Sequence, residues 1–249
     1  MGQHGKHRPL VIPRLLKGAV CAMLAGGPAQ AVDCRLALVL AIDVSSSVDE
    51  AEDRLQRSGL AAALISPDVQ AAFFGADLPV ALAVFEWSGR YNQSLLVDWQ
   101  MVTGPETLQD IALAIQRSDR SEIEFPTAMG YALGYGAGLL RRGPTCLFRT
   151  LDMAGDGVNN EGFMPDTAYG AFPFEGVTVN GLVIATPDTS DGQDVIRFYQ
   201  DQVLRGPGAF LEQAHSFEDY KDAMRRKLER EVSARTIGNL SAPAPDIPG

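Results

Sequence analysis

Three short segments concentrate oxygen-bearing side chains, and their spacing suits a hard metal ion. Asp43-Val44-Ser45-Ser46-Ser47 presents one carboxylate and two hydroxyls at alternate positions of a short turn. Phe125-Pro126-Thr127-Ala128-Met129-Gly130 sets a threonine at the head of a segment rich in small residues. Met153-Ala154-Gly155-Asp156-Gly157 sets an aspartate after an apolar run. Such oxygens suit Mg²⁺ first, with Mn²⁺ or Ca²⁺ also compatible. Each residue also has an ordinary structural use. Ser47-Val48-Asp49-Glu50 reads as a capping box in which Ser47 caps the start of the next helix. Thr127 reads as an N-cap and Asp156-Gly157 as a turn. The case for a site rests on the three segments meeting, which depends on the elements that carry them.

The run from Arg35 to Ile42 is almost continuously apolar and ends in Asp43, as in a strand buried on both faces of a parallel sheet. Patterning predicts a helix over 48–64 with Leu55, Leu60 and Leu64 inward, and a strand over 80–87. A third strand over 94–102 is its antiparallel hairpin partner. Helices follow over 105–117 and 127–141, strands over 147–154 and 177–184, a helix over 191–203 and a short strand over 208–212. A last helix over 216–234 spaces Phe217, Tyr220, Met224, Leu228 and Val232 along one apolar face. Arg225-Arg226-Lys227 reads as its solvated side, and Trp87, Trp99, Phe73 and Phe74 read as packing. The alternation predicts an α/β fold: a Rossmann-like, doubly wound, mostly parallel sheet with helices on both faces. Sites in such folds form at the carboxyl ends of strands, where the strand order reverses.

Residues 1–31 read as a signal peptide. Lys6, Arg8, Arg14 and Lys17 are accompanied by no acidic residue, 15–25 is largely apolar, and Ala29-Gln30-Ala31 offers a small-x-small cleavage site. The apolar stretch falls short of the about 20 residues that a membrane span needs. The expectation is a periplasmic or secreted protein cleaved near Ala31, with one domain over 32–236 and a loose, proline-bearing tail over 237–249. The chain carries −10, and losing four positive charges with the leader brings it to −14. That balance argues against nucleic acid or an anionic membrane as partner. Cys34 and Cys146 begin two of the apolar runs that lead to the candidate aspartates. An oxidising compartment makes a disulfide between them reasonable; two buried thiols are the alternative, because sequence does not give their separation.

The Asp-x-Ser-x-Ser turn, the downstream Thr127 loop and the Asp156 loop together resemble the metal-ion-dependent adhesion site (MIDAS) of von Willebrand factor A (VWA) domains. More specifically, 34–235 is similar to an exported bacterial VWA-like family of unknown function. Ala154 to Asn160, Val179-Asn180-Gly181-Leu182 and Gly206-Pro207-Gly208-Ala209-Phe210 carry that similarity. The resemblance implies that Ser45 and Ser47 bind one divalent cation directly. Asp43 and Asp156 would act largely through water, and Thr127 directly or through water. It also implies a partner, protein or ligand, that supplies an Asp or Glu carboxylate. Phe125-Pro126-Thr127 departs from the glycines that many relatives place before the threonine, so Pro126 stiffens that loop.

Two other classes compete. A Mg²⁺-dependent hydrolase or phosphotransferase would use Asp43 at a strand end, but Ser45 stands where a second aspartate is usual. A serine hydrolase needs a base, and after the leader only His215 remains, in a segment before the last helix. No Gly-x-Ser-x-Gly elbow, P-loop or zinc ligand set is present. The expectation is a non-enzyme. The other competitor is a structural VWA-like module with no functional metal.

Overall fold

The apolar run ending at Asp43 forms strand β1 (Cys34–Asp43), buried along its whole length. The computed structural model describes residues 1–2, 32–121 and 124–233, so the expected leader and the tail over 237–249 fall outside the described residues. After β1 come α1 (Glu50–Leu64), α2 (Pro67–Phe74), β2 (Val80–Trp87), β3 (Gln93–Val102) and α3 (Pro105–Arg117). Then follow α4 (Met129–Arg142), β4 (Cys146–Gly155), α5 (Pro165–Ala171) and β5 (Val177–Ile184). Helix α6 (Ser190–Phe198) runs into a π-helical turn, Tyr199–Val203, before β6 (Leu211–Ala214) and α7 (Tyr220–Val232).

The strands form one sheet in the order β3-β2-β1-β4-β5-β6, parallel throughout except for the β2–β3 hairpin. The chain builds outward from β1 to β3, then returns to lay β4 on the other side of β1. The order reverses between β1 and β4, and a crevice opens beyond their carboxyl ends. Alternation along β1 feeds two cores. Leu36, Leu38, Leu40 and Ile42 pack with residues of α1, α2, α3 and α7. Ala37, Val39 and Ala41 pack with α4, α5 and the π-helical turn. Helices therefore cover both faces. Cys34 pairs in register with Cys146, and a disulfide joins them at the amino edge of the two central strands.

Several expectations need correction. Leu55 is not an inward position of α1: it is 36% exposed, whereas Leu60 and Leu64 are buried. The last strand lies at Leu211–Ala214 instead of 208–212, because Gly206 and Gly208 take positive φ and form a turn ahead of it. Helices α2 and α5 lie where patterning suggests no element. Each is at most eight residues long and opens on a proline, too short to display a helical period. Lys227 is not on the solvated side of α7. It is fully buried, 2.9 Å from Glu231 Oε1 and 2.7 Å from Asp152 Oδ1 in mid-β4. Arg225 and Arg226 do lie at the surface, paired with Asp68 and Glu212.

Candidate functional site

β1 delivers Asp43 to the crevice as its last residue, and the chain turns at once. The Ser45 amide donates to Asp43 Oδ1 at 2.7 Å, and Val48 N–H donates to the Ser45 carbonyl at 3.0 Å. Neighbouring segments hold this turn by its backbone. Gln56 donates to the Asp43 carbonyl, Ser46 N–H to the Phe125 carbonyl, and the Arg120 guanidinium to the carbonyls of Val44 and Ser45. Arg120 is itself placed by its neighbour: Ser121 N–H donates to Glu86, which is buried at the end of β2 and paired with Arg57 of α1.

The three segments meet. Ser45 and Ser47 hydroxyls lie 3.1 Å apart, Ser47 donates to Asp156 Oδ1 at 2.8 Å, and Thr127 Oγ1 lies 3.3 Å from Ser45 Oγ. Thr127 is fixed through its backbone, with its N–H donating to Asn160 Oδ1 and its carbonyl accepting from Asn160 and Glu161. That ties the threonine loop directly to the segment after β4. Asp43, Ser45 and Thr127 are buried, while Ser47 is exposed and Asp156 half-buried, so the cluster opens outward at those two residues.

None of the hydroxyls is spent on capping. The N-cap of α1 is Asp49, whose carboxylate accepts from Ala51 and Glu52 N–H while Glu52 reaches back to the Asp49 amide. The capping box thus lies two residues beyond the one that the sequence suggests. The N-cap of α4 is Ala128, without a side-chain bond, so the Thr127 hydroxyl is not its cap. Asp49→Ala is accordingly expected to lower stability by about 1 kcal/mol. A urea melt checks this, and any metal affinity should stay unchanged.

Two carboxyls here gather in low dielectric with little cationic help. Burial, and next the Asp156 charge, push Asp43 up to about 8, against the pull of the Ser45 bonds and Arg120. Burial also raises Asp156, against the hydrogen bond from Ser47. Asp43 Oδ2 is buried and has no hydrogen-bond partner. A divalent cation would reverse both shifts and give that oxygen a role. The donor set of two carboxylates and three hydroxyls fits a hard cation. Among the described residues no three His, Cys, Asp or Glu side chains converge as a metal set. His215 sits exposed in the loop before α7, at one wall of a cavity of about 300 Å³ that also borders Asp156. Arg120, Gln56 and Asn160 were not singled out by sequence. Of these only Asn160, in the Asp156-Gly157-Val158-Asn159-Asn160 segment, carries a local cue.

Residues 33–236 match the family described as protein of unknown function (DUF1194). No curated protein matches the chain. Among solved structures, proximal thread matrix protein 1 from the mussel byssus superposes with TM-score 0.57 at 18% identity, over 80% of this chain and 49% of that one. A second form of that protein, at TM-score 0.57 and 17% identity over 80% and 48%, is described with a zinc-occupied MIDAS motif. The pilus adhesin SpaC of Lactobacillus rhamnosus GG gives 0.57 at 14% identity, over 80% and 31%. A von Willebrand factor type A protein of Catenulispora acidiphila gives 0.55 at 12%, over 80% and 42%. The chain spans about half or less of each of these proteins, and at such identities the likeness is one of fold. Among the described residues no helix is long and apolar enough to cross a membrane. The 3-2-1-4-5-6 strand order, the two helical layers and the match over 33–236 together make this chain a VWA-like member of the DUF1194 family.

Proposed function

We propose that Asp43, Ser45, Ser47, Thr127 and Asp156 hold one divalent cation, Mg²⁺ in the first place, and that the cation captures a carboxylate of a protein or ligand partner. The observation that carries this reading is the convergence of five oxygen-bearing side chains on one sheet edge, with Asp43 Oδ2 buried and unbonded. Two carboxylates offset the charge of one divalent ion, so a remaining coordination position can accept an anionic oxygen from outside. The zinc-occupied MIDAS motif of the byssus protein supports a divalent ion, and the pilus adhesin supports a protein partner. Apolar side chains stand beside the cluster to receive one: Phe125 is exposed next to Thr127, and Tyr91, 91% exposed, packs edge-on against Tyr131 of α4. Residues 1–31 act in this reading as a leader removed on export to the periplasm or beyond.

The role is binding, not catalysis. The cluster holds hydroxyls and carboxylates but no histidine or cysteine, and no general base stands against Ser45 or Ser47 other than the carboxylates themselves. Calorimetric titration of Mg²⁺ and Mn²⁺ into the protein is expected to show one saturable site. Asp43→Ala should weaken it about a hundredfold, since the charge balance is lost and the Ser45 amide loses its acceptor. A folded wild type that binds neither ion would leave a structural VWA-like module.

A further inference from the structure

Two oxygens of the buried interior lie near one another beside the cluster, and neither has a hydrogen-bond partner: Asp43 Oδ2 and the Tyr199 hydroxyl. Gly155, the last residue of β4, borders both of them. A Cβ built on Gly155 would sit 2.7 Å from Asp43 Oδ2 and 2.8 Å from Tyr199 Oη. Only a residue without a side chain leaves the two oxygens open to one another. Tyr199 is fully buried and opens the π-helical turn, which Leu204 N–H closes on the Tyr199 carbonyl and the Tyr169 hydroxyl holds at the Val203 carbonyl. π-helical turns are rare and frequently lie at functional sites, and here the side chain that opens the turn lies under the end of β1. Buried polar atoms are costly to leave unpaired, by about 1–3 kcal/mol each. Two such atoms bordering one space call for a shared proton or a bridging water. A tyrosine hydroxyl has one proton to give, and a carboxylate oxygen accepts it.

We infer that Tyr199 is a positioning residue for Asp43: its hydroxyl, directly or through one water over Gly155, donates to Oδ2 and fixes the carboxylate beneath the cation. The inference rests on the metal reading for its purpose, but not for the contact itself.

Tyr199→Phe keeps the ring in its core and removes only the donor. In the full chain, Mn²⁺ affinity by calorimetry is expected to fall about tenfold. An unchanged affinity would overturn the positioning role. A second measurement needs no metal. A double-mutant cycle of Tyr199→Phe with Asp43→Ala, melted in EDTA, is expected to show coupling of roughly fivefold in the folding constant. Zero coupling would mean that the hydroxyl and the carboxylate do not meet, and would overturn the inference whatever the metal does. Coupling without any metal binding to the wild type would keep the contact and sink the metal reading instead.

Discussion

Lys227→Met is expected to lower stability by about 3–5 kcal/mol, as much as truncating a large core side chain. The ammonium of Lys227 is fully buried between Asp152 of β4 and Glu231 of α7, both of which are also buried. Glu231 further accepts from Asn180 of β5, so the cluster pins α7 to two central strands. Removing the cation leaves two acidic groups facing each other in the interior, and no water can reach them. Adding Asp152→Asn and Glu231→Gln to Lys227→Met should restore most of the loss. Urea midpoints of the three proteins check this; equal midpoints for wild type and Lys227→Met would refute it.

The same cluster sets a pH trend. Burial, and next repulsion from Glu231, push Asp152 up to about 8, while Lys227 pulls the other way. An unfolded aspartate titrates near about 4. The folded protein therefore holds a proton that the unfolded chain releases. The stability from this group is full below about pH 4 and is lost as pH rises through about 8. Asp43, also raised to about 8, acts in the same direction when no metal is bound. In EDTA the urea midpoint should fall as pH rises from about 4 to about 8, and Asp152→Asn should flatten the fall.

Loss of the disulfide ranks beside this. Cys34→Ser with Cys146→Ser is expected to cost about 2–5 kcal/mol, because the bond joins residues 112 apart in sequence and so restrains a long loop of the unfolded chain. The staple lies nine residues from Asp43 along β1, roughly 30 Å at the rise of a strand. Metal affinity should therefore survive while the urea midpoint drops. A midpoint unmoved by reductant would show that the bond contributes nothing to stability.

Long elements with strong periodicity were legible in the sequence: β1, β2, β5 and α3 lie within a residue of where patterning puts them. So was the convergence of the Asp43, Thr127 and Asp156 loops, because a strand-end position fixes where a side chain can go. Lys227 was misread from its two arginine neighbours. The cues against a solvated lysine were present: it falls three residues after Met224 on the apolar face, and Asp152 interrupts a buried strand that had to find a cation. Ser47 kept two meanings because Ser47-Val48-Asp49-Glu50 and Asp49-Glu50-Ala51-Glu52 both satisfy capping chemistry, and only the phase of α1 chooses between them. Tyr199 and Arg120 carried no signal. Their relevance comes from contacts across the fold, and no spacing rule encodes those.

The staple at Cys34–Cys146 has a mechanical meaning as well. β1 and β4 leave the same covalent bond at one end of the sheet, and at the other end their loops converge on one cluster. The two strands are the long sides of a closed frame. A pull on the cluster would load both sides together, and the hydrogen bonds that join this pair to β2 and β5 would resist it in shear along their length. It could not peel one strand from the other rung by rung. A frame of that kind resists a pull far better than an open pair of strands.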